Sequence, residues 1–545
     1  MSYFSDLLSA YSKRIGINSP QIAGYCGLDR VTVYRFMKGK TLPKDRATVH
    51  LMAGILQLTG DERNNLLEVY ECARLGPRVY WERRYIKSFL MSFNGTNLPA
   101  PLIQYDSENE EDPHTETLLI GRKESTLSRI QKELLEACDG AHGAIELIMR
   151  PGIDPVMDML LSVGKKKKSM KVKHLIPLTT AFLADSGHSA VSRRKSFSED
   201  NSSIFNLSAA RLGPPEQTLK IPGESIDDIV AFLSDSSFPE GSLKWNYELL
   251  QNFFKIVSLC SEGFDYEPSY FYSRQADIGT FPVYSNLLLT EKSAILFTDD
   301  LSESVFFRNR DQVAAFHRKY EGVAKDKPPL SYIFRDIESF MDNMSNVILK
   351  RNRNKDDIEY FYASQPCIIP LLTKEVIKRH LRTELFPQEK EERKGVLKNI
   401  YNYIGAIQAR YQNSNNNQIN YLSESGVRYF METGRFAEVP LELYSPLTEE
   451  ERKEMVLRLA DSPTFSARIL KYELTPPEGM LCLEVMDKSL FLEFLVPGKG
   501  MCFLYVNEPG ILMAFRRFFG GFSKDEVYSE AESREILRII AQGKM

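Results

Sequence analysis

Residues 19–39 read Ser19-Pro20-Gln21-Ile22-Ala23-Gly24-Tyr25-Cys26-Gly27-Leu28-Asp29-Arg30-Val31-Thr32-Val33-Tyr34-Arg35-Phe36-Met37-Lys38-Gly39. Two short helices joined by a tight turn explain this stretch. Ser19 serves as a cap, with Pro20 at the first helical position, where its missing N–H costs nothing. Gly27 tolerates the left-handed backbone that ends the first of the two helices. Leu28 turns inward, Asp29 caps the helix Arg30–Met37, and Gly39 closes it. Before this pair, Phe4, Leu7, Leu8, Tyr11 and Ile15 recur at helical spacing. After it, a fourth helix follows Pro43, and a fifth runs from about Asp61 to Leu75.

Several of these residues together carry a family likeness. They are Ile22-Ala23, Gly27, the apolar pair Val33 and Phe36, and Gly39-Lys40-Thr41-Leu42-Pro43. The run Leu51 to Leu58, then Thr59-Gly60-Asp61-Glu62-Arg63 and Leu66-Leu67, completes the order. Residues 1–76 resemble the XRE family, the helix-turn-helix domains of the Cro and phage-repressor type. The resemblance implies that the helix Arg30–Met37 reads double-stranded DNA and that Ala23 is small because this helix packs closely over it. The reading helix lacks the glutamines that many members carry, a departure that bears on which bases are read. The physical chemistry agrees with this assignment. With Val33 and Phe36 in the core, Arg30, Val31, Thr32, Tyr34 and Arg35 face outward as base-reading candidates. An arginine can donate two hydrogen bonds to guanine, and Val31 or the Thr32 methyl can touch a thymine methyl. Ser19 at a helix start suits a phosphate. Lys38, Lys40, Thr41, Lys44 and Arg46 lie beyond the reading helix and suit the flanking backbone.

Charge is distributed accordingly. Residues 1–90 hold 14 Lys+Arg against 8 Asp+Glu, and residues 91–545 hold 55 against 65. A basic head on an acidic body fits a polyanion-binding module attached to something larger.

Residues 77–95 read as a connector helix that either pairs with a second subunit or packs on the body. The acidic run 106–113 reads as a linker. Farther on, a strand at 143–149, a helix at 153–163 and a strand from Val172 to Leu178 form one β-α-β unit with a parallel pair. Lys165 to Lys168 follow that helix and favour its dipole. Residues 191–203 read as a loop, and 244–260 as one amphipathic helix. Leu287–Leu289 and Ala294–Phe297 make a hairpin. After Lys327-Pro328-Pro329 come a helix at 333–350, a strand at 358–362, and an Asn-rich loop at 413–417. Four strands follow at 468–475, 481–487, 490–496 and 501–506, all antiparallel, and then helices at about 509–520 and 531–542.

Signatures of chemistry are few. Gly39-Lys40-Thr41 lacks the upstream glycine of a phosphate-binding loop, since that position is Tyr34. His317-Arg318-Lys319 reads as solvated helix charge. The seven histidines and seven cysteines form no metal-spaced set, and the cysteines read as reduced core thiols. The expected architecture is multidomain, with an all-α helix-turn-helix head (1–76), a connector helix and acidic linker (77–113), and a large body. That body comprises an α/β domain (114–326) and an α+β C-terminal domain (327–545). The expected function is a cytoplasmic, DNA-binding transcriptional regulator acting as a homodimer. Its body senses a small-molecule or peptide effector, with no cofactor, no metal, no membrane association and no catalysis. Two other readings stand beside it: an enzyme whose chemistry is hidden in residues 114–545, and a protein-interaction scaffold carrying an accessory helix-turn-helix.

Overall fold

The apolar period of residues 3–75 folds into five helices, α1 (Tyr3–Ile15), α2 (Ser19–Cys26), α3 (Arg30–Met37), α4 (Arg46–Ile55) and α5 (Gly60–Leu75). This is seen in a computed structural model that describes residues 3–93, 116–139, 144–166, 170–179, 244–261, 264–273, 284–334, 358–386, 388–412, 418–436, 439, 443–486, 488–496 and 500–543. Phe4, Leu7, Leu8 and Tyr11 of α1 meet Ile22, Ala23, Val33, Phe36, Val49, Met52, Leu66 and Tyr70 in one core. The caps are local. Asp29 accepts from the Thr32 N–H, and Asp45 from the Thr48 N–H. Thr59 and Glu62 form a reciprocal capping box at the start of α5. The cap of α2 is Asn18, not Ser19. The Asn18 side chain accepts from the Gln21 N–H, and the Gln21 side chain accepts from the Asn18 N–H. Ser19 therefore occupies the first turn itself.

The chain divides into two units, one carrying Met1–Arg83 and Thr179–Tyr247 and the other Arg84–Leu178 and Glu248–Met545. Helix α6 (Pro77–Met91) contributes to both. Its C-terminal part packs in the body, with the Phe89 ring 4.9 Å from that of Phe253 and 5.7 Å from that of Phe515.

The body is built on two mixed seven-stranded sheets. The first has the order β1-β7-β6-β5-β2-β3-β4, from β1 (Thr117–Ile120), β2 (Ala144–Ile148), β3 (Lys171–Thr179), β4 (Asp265–Ser273), β5 (Asn286–Leu289), β6 (Ala294–Phe297) and β7 (Ser304–Phe307). Strands β2 and β3 are parallel, joined through α8 (Asp154–Lys166), as the β-α-β pattern requires. Helix α7 (Lys123–Asp139) lies between β1 and β2 in the chain. The segment 244–260 is two helices, α9 (Lys244–Gln251) and α10 (Phe253–Ser261). They break at buried Asn252, whose side chain donates to the Glu248 carbonyl and competes with the helix ladder. On α11 (Arg310–Ala324), His317 is anchored rather than solvated. Its Nδ1 lies 2.9 Å from Glu146 and its Nε2 3.1 Å from the Thr290 carbonyl.

The second sheet has the order β11-β10-β9-β12-β13-β14-β8. Its strands are β8 (Ser331–Phe334), β9 (Glu359–Ala363), β10 (Gln418–Ser423), β11 (Ser466–Leu470), β12 (Leu481–Val485), β13 (Leu490–Val496) and β14 (Gly500–Val506). Its helices are α12 (Lys374–His380), α13 (Lys390–Gln412), α14 (Glu424–Thr433), α15 (Glu449–Asp461), α16 (Pro509–Gly520) and α17 (Glu530–Ala541). Two expectations change here. Ile333 and Phe334, expected in a helix, extend β8 along β14. Strand β11 ends at Leu470 and runs parallel to β10, so only β12, β13 and β14 form the antiparallel run expected of the last four strands. Thr475 leaves the strand and is held instead by the Tyr362 hydroxyl, 2.8 Å away.

The expected acidic linker, the loops at 191–203 and 413–417, residues 335–350 and the side chains of Lys165–Lys168 lie outside the described residues. All seven cysteines are free thiols, and six of them are buried. Among the described residues, no helix is long and apolar enough to cross a membrane.

Candidate nucleic-acid interface

Helices α2 and α3 are set by two glycine turns of the same kind. Gly27 has φ +65°, and the Leu28 N–H donates across it to the Ala23 carbonyl at 2.9 Å. Gly39 has φ +63°, and there the Lys40 N–H reaches the Arg35 carbonyl at 2.9 Å and the Gly39 N–H reaches that of Phe36 at 3.0 Å. This pair of bonds satisfies the last carbonyls of α3 and reverses the chain. Two tertiary hydrogen bonds fix the result. Ser9 of α1 donates to the Met37 carbonyl at 3.1 Å, and Tyr70 of α5 donates to that of Pro43 at 3.1 Å. Helix α3 and the loop after it are thus held by the bundle from behind.

Val33 and Phe36 are buried, as their spacing requires. The remaining positions project away from the core. Arg30 and Arg35 are exposed, Val31 is 57% exposed and Tyr34 50%. Offsets of three and four residues bring Arg30 beside Tyr34, and Val31 beside both Tyr34 and Arg35, on one helix face. Thr32 is half-buried. Its hydroxyl donates to the Asp29 carboxylate, which leaves the methyl as the group it can offer. Bonds from the Thr32 hydroxyl and N–H hold the Asp29 carboxyl below its ordinary value, so the cap remains an anion.

Arg30, Arg35, Lys40 and Lys44 form no ion pair among the described residues, and Lys38 lies 5.8 Å from the centre of the Tyr34 ring. Elsewhere in the head, Arg14 pairs with Glu62 and Arg74 with Glu71, whereas Lys13 and Arg63 form no ion pair among the described residues. Between residues 19 and 44, Arg30, Arg35, Lys38, Lys40 and Lys44 face a single acid, Asp29. Thr41 is exposed beside them. Arg46 stands apart from this group, at the start of α4 and 3.6 Å from Glu71 of α5. Ser19, in the first turn of α2, is half-buried, and among the described residues nothing accepts from its N–H. A helix start with a free donor and a hydroxyl is an anion site in kind.

One residue escaped the sequence reading. Tyr25 of α2 is 58% exposed and lies beside Gly54 of α4. A third large, outward, partly apolar side chain in the α2–α3 pair was visible in the helical period, because Tyr25 falls off the Ile22-Ala23 side.

No protein-family model matches the chain, and no curated protein matches it. Among solved structures, the chain is similar to TrmBL2, described as an archaeal chromatin protein with a novel mode of DNA binding. The identity is 12% over 60% of this chain and 93% of that one, with a TM-score of 0.20. A likeness at that level carries no argument about fold or function.

Proposed function

We propose that the chain is a DNA-binding transcriptional regulator with a helix-turn-helix of the XRE type, in which α3 enters the major groove. The observation that carries this reading is the outward face of α3. There, two half-exposed apolar side chains, Val31 and Tyr34, sit between two arginines that form no ion pair among the described residues. A solvated helix face has no use for the apolar pair, whereas a groove floor presents both methyl groups and acceptors. Arg30, Val31, Thr32, Tyr34 and Arg35 read bases. Ser19, Lys38, Lys40, Thr41 and Lys44 hold phosphates, and Arg46 adds less because it is shared with Glu71. Two copies act together on one operator in the cytoplasm. The body senses an effector, and no catalytic step belongs to this reading.

Fluorescence anisotropy of the intact chain on labelled duplex, repeated across a salt series, tests the proposal. Binding should weaken steeply as salt rises, because each neutralised phosphate releases counterions. Affinity that stays constant from low to high salt would overturn it.

A further inference from the structure

Four strands end the two sheets of the body: β1 and β4 in the first, β11 and β8 in the second. A sheet edge presents a row of N–H and C=O groups ready to pair, which native proteins cover or blunt. Strands β4 and β8 cover each other. They meet at the bridge Ser269–Pro329, where the Tyr270 N–H donates to the Pro328 carbonyl at 3.1 Å and the Leu330 N–H to that of Pro268 at 2.8 Å. Strand β11 is flanked by the segment 526–528. There the Lys471 N–H donates to the Glu526 carbonyl and the Tyr528 N–H to that of Ile469, both at 2.9 Å. Strand β1 pairs with β7 on one side, and its other side is unpaired among the described residues. No proline, lysine or bulge blunts residues 117–120. Leu119 is 68% exposed, the most of any large apolar side chain described. The ladder also fixes which backbone groups face outward. The Arg308 N–H donates to the Glu116 carbonyl at 2.9 Å, and in the same register Leu118 pairs with Phe306 and Ile120 with Ser304. Antiparallel alternation therefore turns the backbone groups of Thr117, Leu119 and Gly121 to the open side.

We infer that this edge pairs with β1 of a second copy of the chain, the two strands running antiparallel about a two-fold axis at Leu119. A two-fold contact must be complementary to itself. Here the strand carries an acid, Glu116, just before it and a base, Arg122, just after it. With Leu119 opposite Leu119, Thr117 faces Gly121 and the outward backbone groups bond across the axis. Leu118 then faces Ile120, and Glu116 faces Arg122 at both ends. Sliding the register either way sets Glu116 against Ile120 or Arg122 against Leu118, so charge selects the centred pairing. The acid is held in place, since Asn309 donates to one oxygen of its carboxylate at 3.0 Å. Arg122 is exposed and forms no ion pair among the described residues. The inference gives a surface to the pairing of two copies in the proposed function and rests on that part of it. Its test uses no DNA, so its failure and a failure of DNA binding can be told apart.

Sedimentation velocity of the intact chain without DNA, over a concentration series, should show a reversible monomer–dimer equilibrium. Glu116→Arg alone, or Arg122→Glu alone, sets like charges opposite each other twice per dimer and should raise the dissociation constant roughly tenfold. Both changes together set opposite charges face to face again and should return the constant close to its original value. Leu119→Pro removes an N–H that faces the open side while sparing the ladder to β7, and should abolish the dimer. Should Leu119→Pro not fold, hydrogen exchange on the unaltered chain decides the same point. The amides of Thr117 and Leu119 should exchange more slowly as concentration rises. A chain that stays monomeric at every concentration would overturn the proposal. So would a dimer that withstands Leu119→Pro, or single charge reversals that the double reversal fails to rescue.

Discussion

Arg35 and Lys44 carry the same charge, yet the structure gives them different surroundings. Arg35 shares the outward face of α3 with Val31, one helical turn before it, whereas Lys44 sits in the loop pinned by the Tyr70–Pro43 hydrogen bond. Arg35→Ala should cost about 1–3 kcal/mol on the preferred operator and relax selection at one or two base positions. Lys44→Ala should weaken operator and scrambled duplex alike and lower the salt slope by about one unit. Titrating both variants against both duplexes across the salt series checks this, and an equal loss on both duplexes for Arg35→Ala would make Arg35 a phosphate contact. In the body, His174 is fully enclosed, with Nδ1 2.7 Å from the Tyr266 hydroxyl and Nε2 2.9 Å from the Met149 carbonyl. Burial pushes its pKa down to about 4 from the ordinary 6.5. A pKa lowered on folding means that the native state resists protonation, so this stabilisation is complete above about pH 6.5 and is lost as pH falls toward 4. Hydrogen exchange at β2 and β3 should accelerate across that window, and His174→Gln should flatten the dependence. Whether such residues could be read from sequence follows from the range of their partners. Val33 and Phe36 obey a local period. His317 was misjudged because Glu146 lies 171 residues away in the chain.

At the scale of elements, what could be read locally and what required the whole chain separate cleanly at two glycines. Gly27 is required by its backbone. Its φ is +65°, and a Cβ there would meet nothing within 4 Å. Gly27→Ala should therefore lower the stability of the head by about 1 kcal/mol, through left-handed strain alone. Gly426, in the first turn of α14, has an ordinary φ, but a Cβ there would lie 1.9 Å from the Ser364 carbonyl oxygen. That oxygen also accepts from the Ser423 N–H at 3.1 Å, so it cannot easily retreat. Gly426→Ala should cost more, about 1–3 kcal/mol, by overpacking. Urea unfolding monitored separately in head and body measures both, and the order of the two losses is the test. Only the first glycine announces itself in sequence, since its signal is a helix end. The strands follow the same division. Apolar runs located β2, β3, β5, β6, β9 and the β12–β14 antiparallel run, and the β-α-β spacing made β2 and β3 parallel. Nothing local says that β11 lies beside β10, on the far side of the sheet from β13.

For the whole molecule, the decisive quantity is how much sequence one head can specify. Helix α3 is eight residues long, and in the proposed complex it would present Arg30, Val31, Thr32, Tyr34 and Arg35 to a groove. A helix of this kind reads only a few base pairs, far fewer than a genome requires of a unique site. The unequal charge of the chain compounds the problem. On the proposed reading, a head with 10 Lys+Arg against 7 Asp+Glu in residues 1–76 would hold any duplex through phosphates, and that term carries no sequence information. On the proposed reading, selectivity would come from two heads engaging the same face of the duplex, which would set their half-sites about 10 bp apart or at a multiple of that. The expected outcome is a near-palindromic footprint, with protein-to-duplex stoichiometry of two and a steep dependence of occupancy on concentration. Inserting about 5 bp between the half-sites turns one of them to the opposite face of the helix. Affinity should then fall to the level of a single half-site, while an insertion of about 10 bp should restore much of it. If the intact chain fills an isolated asymmetric half-site at full affinity, and the 5-bp insertion changes nothing, the paired-head model is wrong. Base selection by a single α3 would then have to account for the whole of the specificity.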